Sequence, residues 1–206
     1  MSDHSAGGTD RLPDHKFGVI YADPPWSYFN GSVPNGGVDQ HYQTMDLDEI
    51  CALDVPAADN AVLYLWTTVT HAEEAFKVMN AWGFDYKTQA VWDKQTVGVG
   101  YWLRGQHELL YIGVRGDVSP PPEEVRCSSV FEFPRGEHSE KPAVVRRYIE
   151  RAHPEARKLE MFARDGFVGW ELWGDEAPDT KQDTLVSVAG GGNSRSLDTD
   201  TDRREE

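Results

Sequence analysis

Phe17-Gly18-Val19-Ile20-Tyr21-Ala22 runs directly into Asp23-Pro24-Pro25-Trp26. The first six residues are small or apolar and too few for a stable helix. They read as a strand buried on both faces. Two consecutive prolines then fix φ and remove two N–H donors, which stiffens the backbone and ends the strand. The stretch therefore predicts an α/β sheet with one carboxylate, Asp23, just beyond a strand's carboxyl end. Open α/β sheets place their ligands there.

Outward from this stretch the pattern alternates. Residues 61–66, 86–92, 108–114, 130–133, 158–163 and 169–173 read as further short strands. Residues 47–53, 70–82 and 139–152 read as helices. Asp46 would cap the first, Gly83 would stop the second, and Pro142 would sit in the first turn of the third. Strands alternating with helices predict an α/β domain with a mainly parallel sheet. Residues 27–43 and 93–106 are rich in glycine and polar residues and read as loops.

The 206 residues suit one core. Residues 1–15 read as a flexible lead-in and 16–177 as the folded domain. Residues 178–206 hold a Gly190-Gly191-Gly192 run and alternating Asp and Thr, and read as a disordered acidic tail. No apolar run is long enough to span a membrane, and the first residues hold no hydrophobic signal core. The expected place is the cytoplasm, or a host's cytoplasm for a viral source. Cys51 and Cys127 lie far apart and read as reduced thiols. No His or Cys spacing suggests a metal, so none is expected. The formal net charge is -15, and residues 175–206 hold nine acids against four bases. That balance is awkward for a partner made of phosphates, but it bears on solubility rather than fold.

The tetrapeptide itself carries chemistry. An acceptor carboxylate (Asp23), a rigid carbonyl (Pro24) and a large ring (Trp26) share one small arc. The 6-amino group of adenine is a poor nucleophile because its lone pair is delocalised into the ring. Two acceptors for its hydrogens would favour a pyramidal nitrogen, and placement supplies much of the catalysis. Trp26 would stack on the base.

Asp-Pro-Pro-Trp after a strand resembles the catalytic motif of the amino-methyltransferases. The wider chain is similar to the family of the catalytic subunit of the eukaryotic messenger-RNA N6-adenosine methyltransferase, which has bacterial and viral members. The resemblance spans roughly residues 17–176. It rests on Tyr42-Gln43-Thr44-Met45, Leu63-Tyr64-Leu65-Trp66, Gly100-Tyr101-Trp102 through Glu108 to Gly113-Val114-Arg115-Gly116, and Ser139-Glu140-Lys141-Pro142. Towards the C-terminus it rests on the segment from Arg157 to Arg164 and on Gly169-Trp170 through Trp173-Gly174-Asp175-Glu176.

The resemblance implies a Rossmann-like, S-adenosylmethionine-dependent methyltransferase domain with permuted motif order, the catalytic motif preceding the cofactor strand. It implies catalysis at Asp23, Pro24, Pro25 and Trp26. The cofactor would lie among Asp23, Lys141, Glu160, Arg164, Asp175 and Glu176, with Lys141 on its carboxylate. Trp26, Tyr28 and Tyr42 would bind substrate. Asp175 stands where the family commonly has Asn.

Plainer readings stand beside these. Lys141 fits an ordinary helix-start lysine, Glu160 fits the partner of a neighbouring cation, and Arg164 fits a surface ion pair. Arg146, Arg147, Arg151, Arg157 and Lys158 form a basic cluster that either faces phosphates or is a solvated helix face. Trp66, Trp82, Trp92 and Trp102 read as packing residues. The expected activity is N6-methylation of adenine in DNA, with RNA as alternative substrate and a non-catalytic scaffold as alternative role. A monomer or homodimer is expected.

Overall fold

The computed structural model describes residues 11–27, 44–136, 140–164 and 168–174. Its strands are β1 (Phe17–Ala22), β2 (Ala57–Thr68), β3 (Asp85–Asp93), β4 (His107–Arg115), β5 (Val130–Glu132), β6 (Lys158–Met161) and β7 (Glu171–Trp173). Its helices are α1 (Leu47–Cys51), α2 (Ala72–Ala81) and α3 (Ala143–Ala152), with one turn of 3-10 helix at Val69–His71 leading into α2. Tyr28, Tyr42, Asp175 and Glu176 lie outside the described residues, as do the tail and residues 1–10.

The seven strands form one sheet in the order β5-β3-β4-β2-β1-β6-β7. β4 runs antiparallel to both its neighbours, β2 and β3, and every other pairing is parallel. The mainly parallel α/β sheet expected from the sequence is present. β6 comes late in the chain yet pairs with β1, bringing Glu160 into register with Tyr21.

The sheet is covered on both sides. Alternate residues of the central strands face opposite layers. Ile20, Ala22, Leu63, Leu65, Leu159 and Met161 pack with Ile50 of α1 and Ala75, Val78 and Met79 of α2. Val19, Tyr21, Tyr64 and Trp66 pack with Val145 and Ile149 of α3. Burial on both faces is why β1 shows an unbroken apolar run rather than an alternating one. Gly113 of β4 lies against Met79 and Phe84, where an added side chain would have to displace the end of the Met79 side chain.

Some element ends differ from the sequence expectation. β2 begins at Ala57 rather than 61, because Ala57 pairs with Phe17 beyond a register shift and the strand runs through polar residues that periodicity reads as loop. β6 ends at Met161 rather than 163, because Phe162 takes a left-handed φ of 62° and turns the chain. α3 begins at Ala143, with Pro142 as its cap, rather than at 139. α1 carries a complete capping box: Asp46 accepts from the Glu49 N–H while the Glu49 side chain accepts from the Asp46 N–H.

Candidate active site

Asp23 follows β1 at the carboxyl ends of the parallel strands. Because β4 is reversed, its first residues reach the same end, and Glu108 lies level with Thr68, the last residue of β2. Lys141 precedes α3 and crosses to both. Its Nζ donates to Asp23 Oδ2 at 2.6 Å and lies 3.4 Å from Glu108 Oε2. Lys94, just past β3, donates to the other Glu108 oxygen at 3.2 Å. The result is a chain of alternating charges, Asp23–Lys141–Glu108–Lys94, with the Lys141 side chain 10% exposed. Burial pulls the Lys141 pKa down, but the Asp23 and Glu108 carboxylates outweigh it and leave it above the usual lysine range.

Beneath this chain lies an aromatic floor. The Lys141 ammonium stands 5.7 Å from the centre of the Trp66 ring. Trp66 Nε1–H donates to the Tyr21 hydroxyl at 2.8 Å. Burial, then the Glu160 carboxylate, raises the Tyr21 pKa far above the usual phenol range, so Tyr21 stays neutral. Arg146 stacks over the Tyr21 ring at 5.8 Å and grips Glu160 with two N–H groups, its Nε donating to Oε2 at 2.9 Å.

The basic cluster read from α3 and its surroundings therefore divides. Arg146 turns inward to Glu160, and Lys158 is buried with its Nζ donating to the Ala156 carbonyl. Only Arg147, Arg151 and Arg157 remain exposed. The cluster is neither one phosphate-facing patch nor one solvated face, because two members pair within the sheet and its flank.

The proline pair holds Trp26 against the sheet. Trp26 is 8% exposed, its Nε1–H donates to the Trp66 carbonyl at 3.2 Å, and its ring stacks on His71 at 5.6 Å. His71 in turn contacts the Ser27 carbonyl and the Thr68 hydroxyl. Trp26, Ser27 and His71 line a cavity of about 450 Å3 together with Met45, Asp48 and Ile50. The carbonyls of the motif are occupied more than the proline pair suggests. Pro24 O accepts from the Trp26 N–H at 2.8 Å, and Pro25 O from the Met45 N–H at 3.1 Å. Each carbonyl oxygen retains a second lone pair.

Thus Asp23, Pro24, Pro25, Trp26, Lys141 and Glu160 gather at one end of β1 and β6. Arg164 follows the turn after β6 at that end. The sequence reading gave no role to Glu108, Lys94 or His71, and placed Arg146 only in the basic cluster. Glu108 lay inside a matched block, which was the signal available for it. The other three depend on contacts between distant segments.

Residues 17–176 match the family described as MT-A70. The chain belongs to the MT-A70 family. As a member it is a nucleic-acid methyltransferase. It is 36% identical over 191 residues to the type II methyltransferase M.MunI of a Mycoplasma species, covering 83% of this chain and 82% of that one. It is 30% identical over 158 residues to the human N(6)-adenosine-methyltransferase catalytic subunit METTL3, covering 72% of this chain and 26% of that one. A Drosophila melanogaster MT-A70-like N(6)-adenosine-methyltransferase is 31% identical over 72% of this chain and 24% of its own length. The chain thus spans most of the Mycoplasma relative but about a quarter of the eukaryotic ones. Its MT-A70 blocks include both the Asp-Pro-Pro-Trp motif and the strand that carries Glu160.

Proposed function

We propose that this chain transfers the methyl group of S-adenosylmethionine to the 6-amino group of adenine in DNA. The observation that carries the reading is the Asp23 carboxylate, fixed at the end of β1 by Lys141 at 2.6 Å beside the stiff Pro24-Pro25 pair. Likeness to a type II methyltransferase over most of both chains supports DNA. RNA is the alternative substrate, supported by the adenosine-methyltransferase relatives.

The donor set fits the cofactor. Its amino-acid end carries one carboxylate and one ammonium, and the site offers one ammonium, Lys141, between two carboxylates, Asp23 and Glu108. Lys141 would hold the cofactor carboxylate, with Asp23 beside it. Glu160, Arg164, Asp175 and Glu176 would serve its ribose and adenine end. When bound, the cofactor supplies an electrophilic methyl group on a sulfonium.

Asp23 acts on the acceptor. Its Oδ2 takes the Lys141 hydrogen bond, which orients the carboxylate and leaves Oδ1 for an adenine N–H. The second lone pair of Pro24 O takes the other amine hydrogen. Accepting both hydrogens pyramidalises the nitrogen and aims its lone pair. Trp26, with Tyr28 and Tyr42, would bind the base. Pro25 keeps the arc rigid. Residues 16–177 would form the working unit, acting as a monomer or homodimer in the cytoplasm.

The test is transfer of tritiated methyl to matched DNA and RNA oligonucleotides, followed by nucleoside mass spectrometry. The expected product is N6-methyladenine in DNA. Label on cytosine, or none with cofactor bound, would overturn the reading. A scaffold member would show no heat of cofactor binding in calorimetry.

A further inference from the structure

We propose that the β3–β4 loop is a nucleobase-stacking site and that Trp102 enters the base stack beside the target adenine. The proposal rests on the adenine reading above. Its first ground is exposure. Val99, Tyr101, Trp102 and Leu103 are 91%, 97%, 99% and 87% exposed, whereas Trp66, Trp82 and Trp92 are buried. Four large apolar side chains presented together to water mark a surface made to be covered. Trp102 therefore departs from the packing role its sequence context suggested.

The second ground is construction. The Gly98 N–H donates to the Gly105 carbonyl at 2.8 Å, and Arg104 Nε donates to the Gly98 carbonyl at 3.1 Å. A side chain at Gly98 or Gly100 would strike the backbone opposite, so the glycines allow this tight closure. At its base, the Asp93 carboxylate accepts from the Gln95 N–H and from Gln106 Nε2, each at 2.8 Å. The loop is tied across its width, and its aromatic residues stand at the tip.

Position and charge identify the occupant. The loop leaves the sheet at the end that carries Asp23, and Lys94 at its root joins the charge chain to Lys141. Residues 94–107 include Lys94, Arg104 and His107 and no Asp or Glu, in a chain with 35 acids. An acid-free, aromatic, cationic loop beside a site for an adenine amine fits nucleic acid. A paired adenine must leave the helix to reach Asp23, at a cost in stacking. An aromatic ring occupying the gap recovers part of that cost and is indifferent to sequence.

The experiment compares the full chain with Trp102→Ala and Trp102→Phe. The substrates are native DNA free of N6-methyladenine and the same DNA heat-denatured. Trp102→Ala should lower kcat/KM on native DNA about tenfold or more. It should change the rate on denatured DNA less than about threefold, leave cofactor affinity in calorimetry unchanged, and be largely rescued by Phe. Equal rates with wild type on native DNA overturn the proposal. So does an equal loss on both forms, and a matching change in light-scattering mass would then assign the loop to contact between copies. If wild type labels only RNA, the same comparison uses folded and heat-unfolded transcripts. If wild type makes no N6-methyladenine at all, the adenine reading fails rather than the loop assignment alone.

Discussion

Trp26 and Trp102 rise from the same end of the sheet in opposite circumstances. Trp26 is enclosed: its ring lies on His71 and its N–H is bonded to the Trp66 carbonyl. Trp102 stands at a loop tip in water. A ring held on several sides can fix the backbone beside it, and here that backbone carries Asp23. A ring held by none contributes little to the folded state and keeps its whole face for a ligand. The enclosed region should respond to mutation in both stability and chemistry, and the loop in substrate handling alone.

The largest effect expected is at the enclosed centre. Asp23→Ala should reduce methyl transfer by about 1,000-fold with the circular dichroism spectrum unchanged. Substantial turnover would take Asp23 out of the mechanism and remove the contrast. Lys141→Met should come next, costing about 3 kcal/mol in urea unfolding, since it leaves Asp23 and Glu108 without the cation between them. Lys141 has a raised pKa in the folded protein, so its contribution is complete at neutral pH. It is lost only as pH rises beyond the ordinary lysine value of about 10.5. The stability gap between wild type and variant should be flat from pH 7 to 9 and narrow above that value.

A double-mutant cycle of Arg146→Met and Glu160→Gln should give a coupling of about 1–3 kcal/mol. A coupling near zero would mean the pair is not formed in solution. The smallest effect belongs to the loop. Trp102→Ala should shift unfolding free energy by no more than about 0.5 kcal/mol, because it removes no packed contact. A larger loss would place Trp102 against the body of the protein and erase the distinction from Trp26.

The sequence disclosed β1 and its motif because an unbroken apolar run followed by two prolines admits few other structures. It disclosed α1 through Asp46, read as its cap, to which the structure adds Glu49 as the second half of a capping box. It missed the end of β6, since Phe162 adopts a conformation that glycine would have signalled and phenylalanine does not. It missed the work of Glu108, which depends on β4 running backwards, a property that strand periodicity does not encode. Arg146 read as one arginine of a helix face, and its pairing to Glu160 exists only once α3 lies over β6. Side-chain partners joined by tertiary contact carry no local signature, whereas the proline pair after β1 and the Asp46 cap do.

The lone reversed strand has one further consequence. β3 returns into β4 as a direct hairpin, without a crossover helix to support. Residues 95–105 can therefore be lengthened, trimmed or exchanged as a cassette while Lys94 and the strands that carry Asp23 and Glu160 keep their places. If the loop grips the polymer as proposed, substrate handling and methyl transfer are separable by evolution or by engineering, because the loop meets the reaction chamber at Lys94, its root.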